Sequence, residues 1–266
     1  MLKLMTFNIR YGTAMDGKNH WVSRKHLVLE RIKAFDPDIL GMQECRDDFQ
    51  GEFIRNNLRE YAFYGIRRGN GGDTALEMTP ILFKRSIFKL SQKGCFWLSE
   101  TPQVSGSQSW GGVFPRTAIW VQLVHQKSGR EFIFINTHFD YKPSAINGSA
   151  RLVQQWAMQA VKNYPTILTG DFNATKSSSA YKQLTMGAGL TDIYRQIYSN
   201  NNDEGTFHGF GKVDELAPID WILASNQFEV VSAEIDRHHE CDRYPSDHFP
   251  VIALLNWKQE EKISNL

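Results

Sequence analysis

The chain has 266 residues, 41% of them hydrophobic and 22% charged, which is ordinary globular usage and enough length to bury a large core. Thirty Lys and Arg against twenty-nine Asp and Glu leave a net charge of +1, which excludes a strong non-specific pull toward nucleic acid or anionic membranes. Three separated cysteines, Cys45, Cys95 and Cys241, exclude a disulfide framework and a zinc ribbon, and no apolar run approaches the roughly 20 residues that span a bilayer.

In chain order, Met1 leads straight into a first predicted strand, Leu2–Ile9. No long apolar segment with a small-residue cleavage site precedes it, so the expectation is a cytoplasmic protein, or a secreted one only if a leader has been removed. Arg24–Phe35 reads as a helix stopped by Asp36-Pro37, since the residue before proline is pushed out of the α region. Strand Asp38–Met42 and helix Asp47–Glu60 follow, then strands Tyr61–Ile66, Pro80–Phe83 and Phe88–Leu98. Ser99–Arg116, rich in Gly, Ser and Pro, is a long surface loop able to border a site. After strands Thr117–His125 and Phe132–His138 comes helix Ser149–Tyr164, whose Leu152, Val153, Trp156, Ala157, Ala160 and Val161 keep one face apolar. Strands Thr166–Phe172, Ile219–Ala224 and His248–Trp257 close the series. This pattern predicts one α/β (α+β) domain over 1–258, two packed sheets with helices outside, followed by a tail at 259–266; a monomer is the expectation.

Several of these strands end in polar residues that a core would not choose. Asp171 and Asn173 stand in Gly170–Thr175 at the end of one, a pair that a simple turn would also explain. The pattern then recurs at Asn8 and Arg10, at Glu44, at His138, at Asp220, and at Asp247 with His248. Polar groups beside apolar strands need partners when buried, and at a common sheet edge they satisfy one another, which makes them one site. Glu44, Asp171, Asp220 and Asp247 with Asn8 and Asn173 are hard oxygen donors suited to Mg²⁺ or Mn²⁺. His138 and His248 can donate to a phosphoryl oxygen or move a proton near neutral pH. Such a set is what phosphate-ester hydrolysis requires.

The stretches FNIR, PDILGMQE, NTHFD, GDFNA, IDWIL and SDHFPV, in this order, resemble the endonuclease/exonuclease/phosphatase superfamily, to which deoxyribonuclease I, sphingomyelinases and deadenylases belong. The resemblance runs from Leu2 to Leu255 and implies a four-layer α/β/β/α sandwich. It implies Asn8, Glu44 and Asp247 as metal ligands, Glu44 foremost, and Asp171 with Asn173 as the pair that orients or deprotonates water. His248 with Asp220 as its orienter, and His138, are implied as phosphate contacts. Glu77 is similar to a carboxylate that backs the second histidine, and Arg116 resembles an arginine that reaches the scissile phosphate, a role its planar donors suit. Arg10, expected with Arg116 as a phosphate-binding residue, stands where abasic-site members carry an acid, which argues against a second metal ligand there. Cys95–Trp110 is similar to a bacterial branch related to the deadenylase-type proteins.

Other features read as ordinary surface or core. His238-His239-Glu240-Cys241-Asp242 is a polar loop rather than a zinc site, because neighbouring strand residues point to opposite faces. Arg67-Arg68-Gly69-Asn70-Gly71-Gly72 is a turn that either touches phosphate or is solvated, Arg151 is similar to a family arginine or is a surface cation, and Cys45 is core. The expected activity is metal-dependent hydrolysis of a phosphodiester or phosphomonoester by in-line attack of water. Single-stranded nucleic acid or a nucleotide is a candidate substrate, a phospholipid or inositol phosphate an alternative, and a silent binding module the rival.

Overall fold

The computed structural model describes residues 1–69, 71–199, 205–214 and 216–259. Its first part runs β1 (Leu2–Asn8), α1 (Trp21–Phe35), β2 (Ile39–Gln43), β3 (Cys45–Arg46), α2 (Phe49–Asn57), β4 (Tyr61–Tyr64), β5 (Glu77–Met78), β6 (Ile81–Lys84) and β7 (Phe88–Trp97). The second continues with β8 (Thr117–His125), β9 (Glu131–His138), α3 (Pro143–Asn163), β10 (Thr166–Asp171) and α4 (Ser179–Lys182). It ends with β11 (Thr191–Asp192), α5 (Ile193–Ile197), β12 (Asp220–Ala224), β13 (Phe228–Ile235) and β14 (Val251–Trp257). One sheet has the order β13-β14-β1-β2-β6-β4 and the other β11-β12-β10-β9-β8-β7, while β3 and β5 pair separately.

Side chains alternate between the faces of a strand, and here the two faces feed different cores. Leu2 and Leu4 of β1 meet Val121, Phe134 and Ile167 between the sheets. Met5 and Phe7 turn outward to Val28 and Ile32 of α1 and Ile54 of α2. The second sheet repeats this: Phe132 and Phe134 face inward, whereas Ile133 and Ile135 pack on Ala150, Val153 and Ala157 of α3. The outcome is the expected four-layer sandwich.

The inward faces change character from one end of the sandwich to the other. Beyond the apolar layer, Gln43 donates to Thr6 (3.0 Å) and to Asn136 Oδ1 (2.7 Å), and Thr169 donates to the same oxygen at 3.1 Å. Asn136 in turn donates to the Met42 carbonyl at 2.7 Å, so buried amides stitch one sheet to the other. Gly41 permits this approach: a Cβ there would stand 2.6 Å from Asn136 Oδ1 and closer still to Thr169 Oγ1. Above that polar layer lie Asn8, His138, Asp171 and Asp220.

Three differences from the expected elements have local causes. Strand β13 is absent from the prediction because a bulge between Val230 and Ser232 breaks its alternation against β14. Helix α3 starts six residues early, at Pro143, a residue favoured in a first turn. Gly148, just before the predicted start, is inside that helix, and its lack of a Cβ leaves room for the Trp110 indole, which any Cβ would meet. Of the predicted tail 259–266, residues 260–266 lie outside the described residues. Among the described residues no helix is long and apolar enough to cross a membrane.

Candidate active site

Strand register builds the site. Asp171 pairs with His138 on parallel β9 and with Asp220 on antiparallel β12, so three polar side chains end one sheet side by side. In the facing sheet Asn8 pairs with Gln43, which delivers Glu44 one residue past β2. Asp247 and His248 enter from the segment before β14. Arg10, Glu44 and Asn173 all adopt left-handed backbone (φ 53°, 59° and 47°). Only surrounding structure holds such conformations, and they cluster at functional sites. A cleft of about 660 Å³ opens over these residues.

Asp171 is the hub. Its Oδ2 accepts from Asn8 Nδ2 at 2.9 Å and lies 3.4 Å from His138 Nε2 and 3.8 Å from His248 Nε2, while Oδ1 accepts from the Asn173 amide at 3.0 Å. Burial first, and then the neighbouring Asp220 carboxylate, push its pKa up to about 7, against the pull of His248 and two hydrogen bonds. Glu44 accepts from Asn8 Nδ2 (3.0 Å) and from the Tyr11 amide (3.0 Å). Burial works to raise its pKa, but Arg10, Asn8 and His248 together carry it below the usual range.

The two histidines stand in opposite surroundings. His248 Nδ1 lies 2.8 Å from Asp220 Oδ2. Burial alone would depress its pKa, yet Asp220, Asp171 and Asp247 lift it to about 10, so it is an imidazolium at neutral pH. His138 is held well below the ordinary histidine value by burial and by Arg116 and Arg68. Its Nδ1 lies 2.8 Å from Arg116 Nη1.

The structure redraws three expectations. Glu77 does not back His138: its carboxylate accepts from Arg68 Nη2 at 2.7 Å, and the partner of His138 Nδ1 is Arg116. Arg68 is therefore buried under the cleft wall rather than solvated, while Arg67 is exposed on Asp47. Arg10 does line the cleft, but Asp16 grips it through two hydrogen bonds of 3.0 Å. It also sits 4.0 Å from Glu44 and 3.7 Å from Asp247, bridging two of the three expected metal ligands. Arg151 is exposed on α3, and His239 bonds its own loop at the Cys241 carbonyl.

Several residues that the sequence did not single out hold this arrangement. Asp140, two after His138, accepts from the amides of Val113 (2.7 Å) and Phe114 (3.1 Å), which fixes the end of the long loop that carries Arg116. Phe114 presents its ring to Arg68 at 4.5 Å and to Arg116 at 5.6 Å. Arg24, buried in α1, donates to the carbonyls of Ile9, Arg10, Asn19 and Pro245, so it ties the β1 exit to the segment leading to Asp247. Asp140 was readable within the NTHFD stretch; Arg24 carried no signal beyond an arginine in a helix.

A hard cation fits the donors. Among the carboxylates, Glu44 and Asp171 offer oxygens within 4.8 Å of each other, as do Asp171 and Asp220. Asp220 Oδ1 is buried without a partner, the kind of orphan that a bound group satisfies. Because oxygen predominates, the set suits Mg²⁺ or Mn²⁺ better than a thiolate metal.

Comparisons with known proteins bear on the family and the fold. The family model described as the Endonuclease/Exonuclease/phosphatase family matches residues 5–248. A solved endonuclease/exonuclease/phosphatase from Bacteroides vulgatus is 32% identical with a TM-score of 0.87, over 97% of this chain and 99% of that one. The mannosyl-6-phosphatase of Bacteroides thetaiotaomicron is 31% identical with a TM-score of 0.85, over 97% of this chain and 100% of that one. The exoribonuclease subunit Ccr4 of the CCR4-Not complex of Phaeosphaeria nodorum is 22% identical over 97% of this chain, which spans 58% of that longer protein. Its members include nucleases and phosphatases, and by the extent of the match this chain belongs to the endonuclease/exonuclease/phosphatase family.

Proposed function

We propose that this chain is a divalent-cation-dependent phosphoester hydrolase that displaces the leaving group with one water molecule. The observation that carries the reading is the placing of Asp171 Oδ2, 3.4 Å from His138 Nε2 and 3.8 Å from His248 Nε2 at the floor of the cleft. A carboxylate with a pKa near 7 takes a proton from water at neutral pH, and Asn173 holds its Oδ1 in place. The imidazolium of His248, fixed by Asp220, donates to a phosphoryl oxygen and compensates the charge that develops there. On the other side stands His138 as a second donor, held at Nδ1 by Arg116. Glu44, with Asn8 and Asp247, would hold the cation, and Arg10 between them balances their charge. When bound, that cation supplies Lewis acidity toward the phosphoryl group.

Among ester classes, the likeness to the mannosyl-6-phosphatase favours a phosphomonoester on a sugar-sized leaving group. The weaker likeness to Ccr4 keeps single-stranded RNA as the second reading. The test is turnover, with Mg²⁺ and with EDTA, on sugar 6-phosphates, nucleotides, single-stranded RNA and DNA, inositol phosphates and sphingomyelin. Cleavage of at least one that stops in EDTA is expected. Undiminished turnover in EDTA would remove the cation from the reading, and silence on every substrate would turn it toward a binding module.

A further inference from the structure

The contact between Arg116 and His138 constrains where the histidine's proton sits. A guanidinium has five N–H donors and no acceptor, so an Nη1 at 2.8 Å from Nδ1 requires a lone pair on Nδ1. Both side chains are mostly buried, and the contact closes the Nδ1 side of the ring against Arg116. Asn173 Nδ2 lies 3.2 Å from Nε2, but a neutral imidazole has only one accepting nitrogen and an imidazolium none. The Asn173 side-chain amide already donates to the Phe139 carbonyl at 2.9 Å, whereas among the described residues the hydrogen bond of Arg116 Nη1 is to His138. The ring therefore carries its proton on Nε2, directed at Asp171 Oδ2.

We infer that Arg116 is a positioning residue that fixes His138 as the Nε2–H tautomer, so that this histidine only donates hydrogen bonds within the site. The inference deepens the phosphoesterase reading and rests on it only for its catalytic consequence. Three things follow. His138 cannot serve as a base, which leaves Asp171 as the proton acceptor. Neither of its ring nitrogens has a free lone pair, so it cannot carry a phosphoryl group while Arg116 is in place. The charge near it is asymmetric: Asp171 faces Nε2, Glu44 lies within 4.8 Å of it, and Arg116, Arg68 and the cationic His248 oppose both.

The tautomer is read directly from two-bond ¹⁵N–¹H correlations of ¹⁵N-histidine protein at pH 7.5 without metal, with His138 assigned by its loss in His138→Asn. The expected wild-type pattern is a protonated Nε2 and an unprotonated Nδ1. Arg116→Met should give mixed or reversed tautomers, and Arg116→Lys, which restores a donor, should return the wild-type pattern. A wild-type signal from Nδ1–H, or an unchanged pattern in Arg116→Met, overturns the inference. Neither outcome depends on turnover, so a failure of the phosphoesterase reading shows separately, as silence on the substrate panel.

Discussion

His138 and His248 sit on opposite sides of one carboxylate, and each is about 4% exposed, yet the protein drives them to opposite charge states. On one side Asp220 and Asp171 surround His248 with negative charge, enough to overcome the burial that would neutralise it. On the other, Arg116 and Arg68 add to the burial penalty and keep His138 neutral. Equal burial with opposite partners shows that the nearest charge, rather than depth, decides the state. Chemically, the division yields one cationic donor and one neutral donor around a single base.

Asp171→Asn should have the largest effect, because it removes the group that both histidines flank while preserving its shape. We expect kcat to fall by roughly 100- to 10,000-fold with an unchanged thermal midpoint. Near-normal kcat would make the two-sided arrangement irrelevant to the reaction. His248→Gln, which keeps a donor and removes the charge, should cost somewhat less in kcat than Asp171→Asn and more than His138→Gln. Equal losses at the two histidines would break the comparison.

The pH profile sharpens it. Because the carboxylate of Asp171 is the active form and its pKa is about 7, the rate should rise as pH increases through neutrality. Asp220→Asn removes one of the charges that raise Asp171, so the acid limb should move to lower pH; an unmoved limb would assign that limb to another group. The same substitution lets His248 lose its proton earlier, adding a fall on the alkaline side.

Smaller effects concern stability. A buried, well-packed site seldom accepts an extra methyl, and Gly41→Ala pushes one against Asn136 and Thr169, so we expect a loss of about 1–3 kcal/mol in urea unfolding. The raised pKa of His248 means that the folded state holds its proton more tightly than the unfolded state does. That contribution is complete below the ordinary histidine value of 6.5 and is lost as pH rises toward about 10. The unfolding midpoint should decline across that window, and less so in Asp220→Asn.

The sandwich and the His248 side were largely legible in the sequence, because polar residues that interrupt apolar strands must find partners and strand register brings their ends together. That pattern grouped Asp171, Asp220 and His248 into one site, while the role expected of each came from the family resemblance. The His138 side was not legible to the same degree. Arg68 lies in a turn whose Arg-Arg-Gly composition looks solvated, and only the fold buries it on Glu77. Arg116 meets His138 across 22 residues and two strands, a contact that no local pattern encodes. Glu77 was expected behind His138 but is bonded to Arg68, since a short motif gives a residue's address without its direction.

In the proposed reaction water attacks phosphorus once, because neither histidine can take the phosphoryl group: His248 is protonated and both nitrogens of His138 are occupied. Stereochemistry at phosphorus tests it most directly. With a thiophosphate monoester made chiral by ¹⁷O and ¹⁸O and hydrolysed in H₂¹⁶O, or a chiral phosphorothioate diester hydrolysed in H₂¹⁸O, inversion is expected. Net retention would require two displacements and a phosphorylated enzyme, and would contradict it.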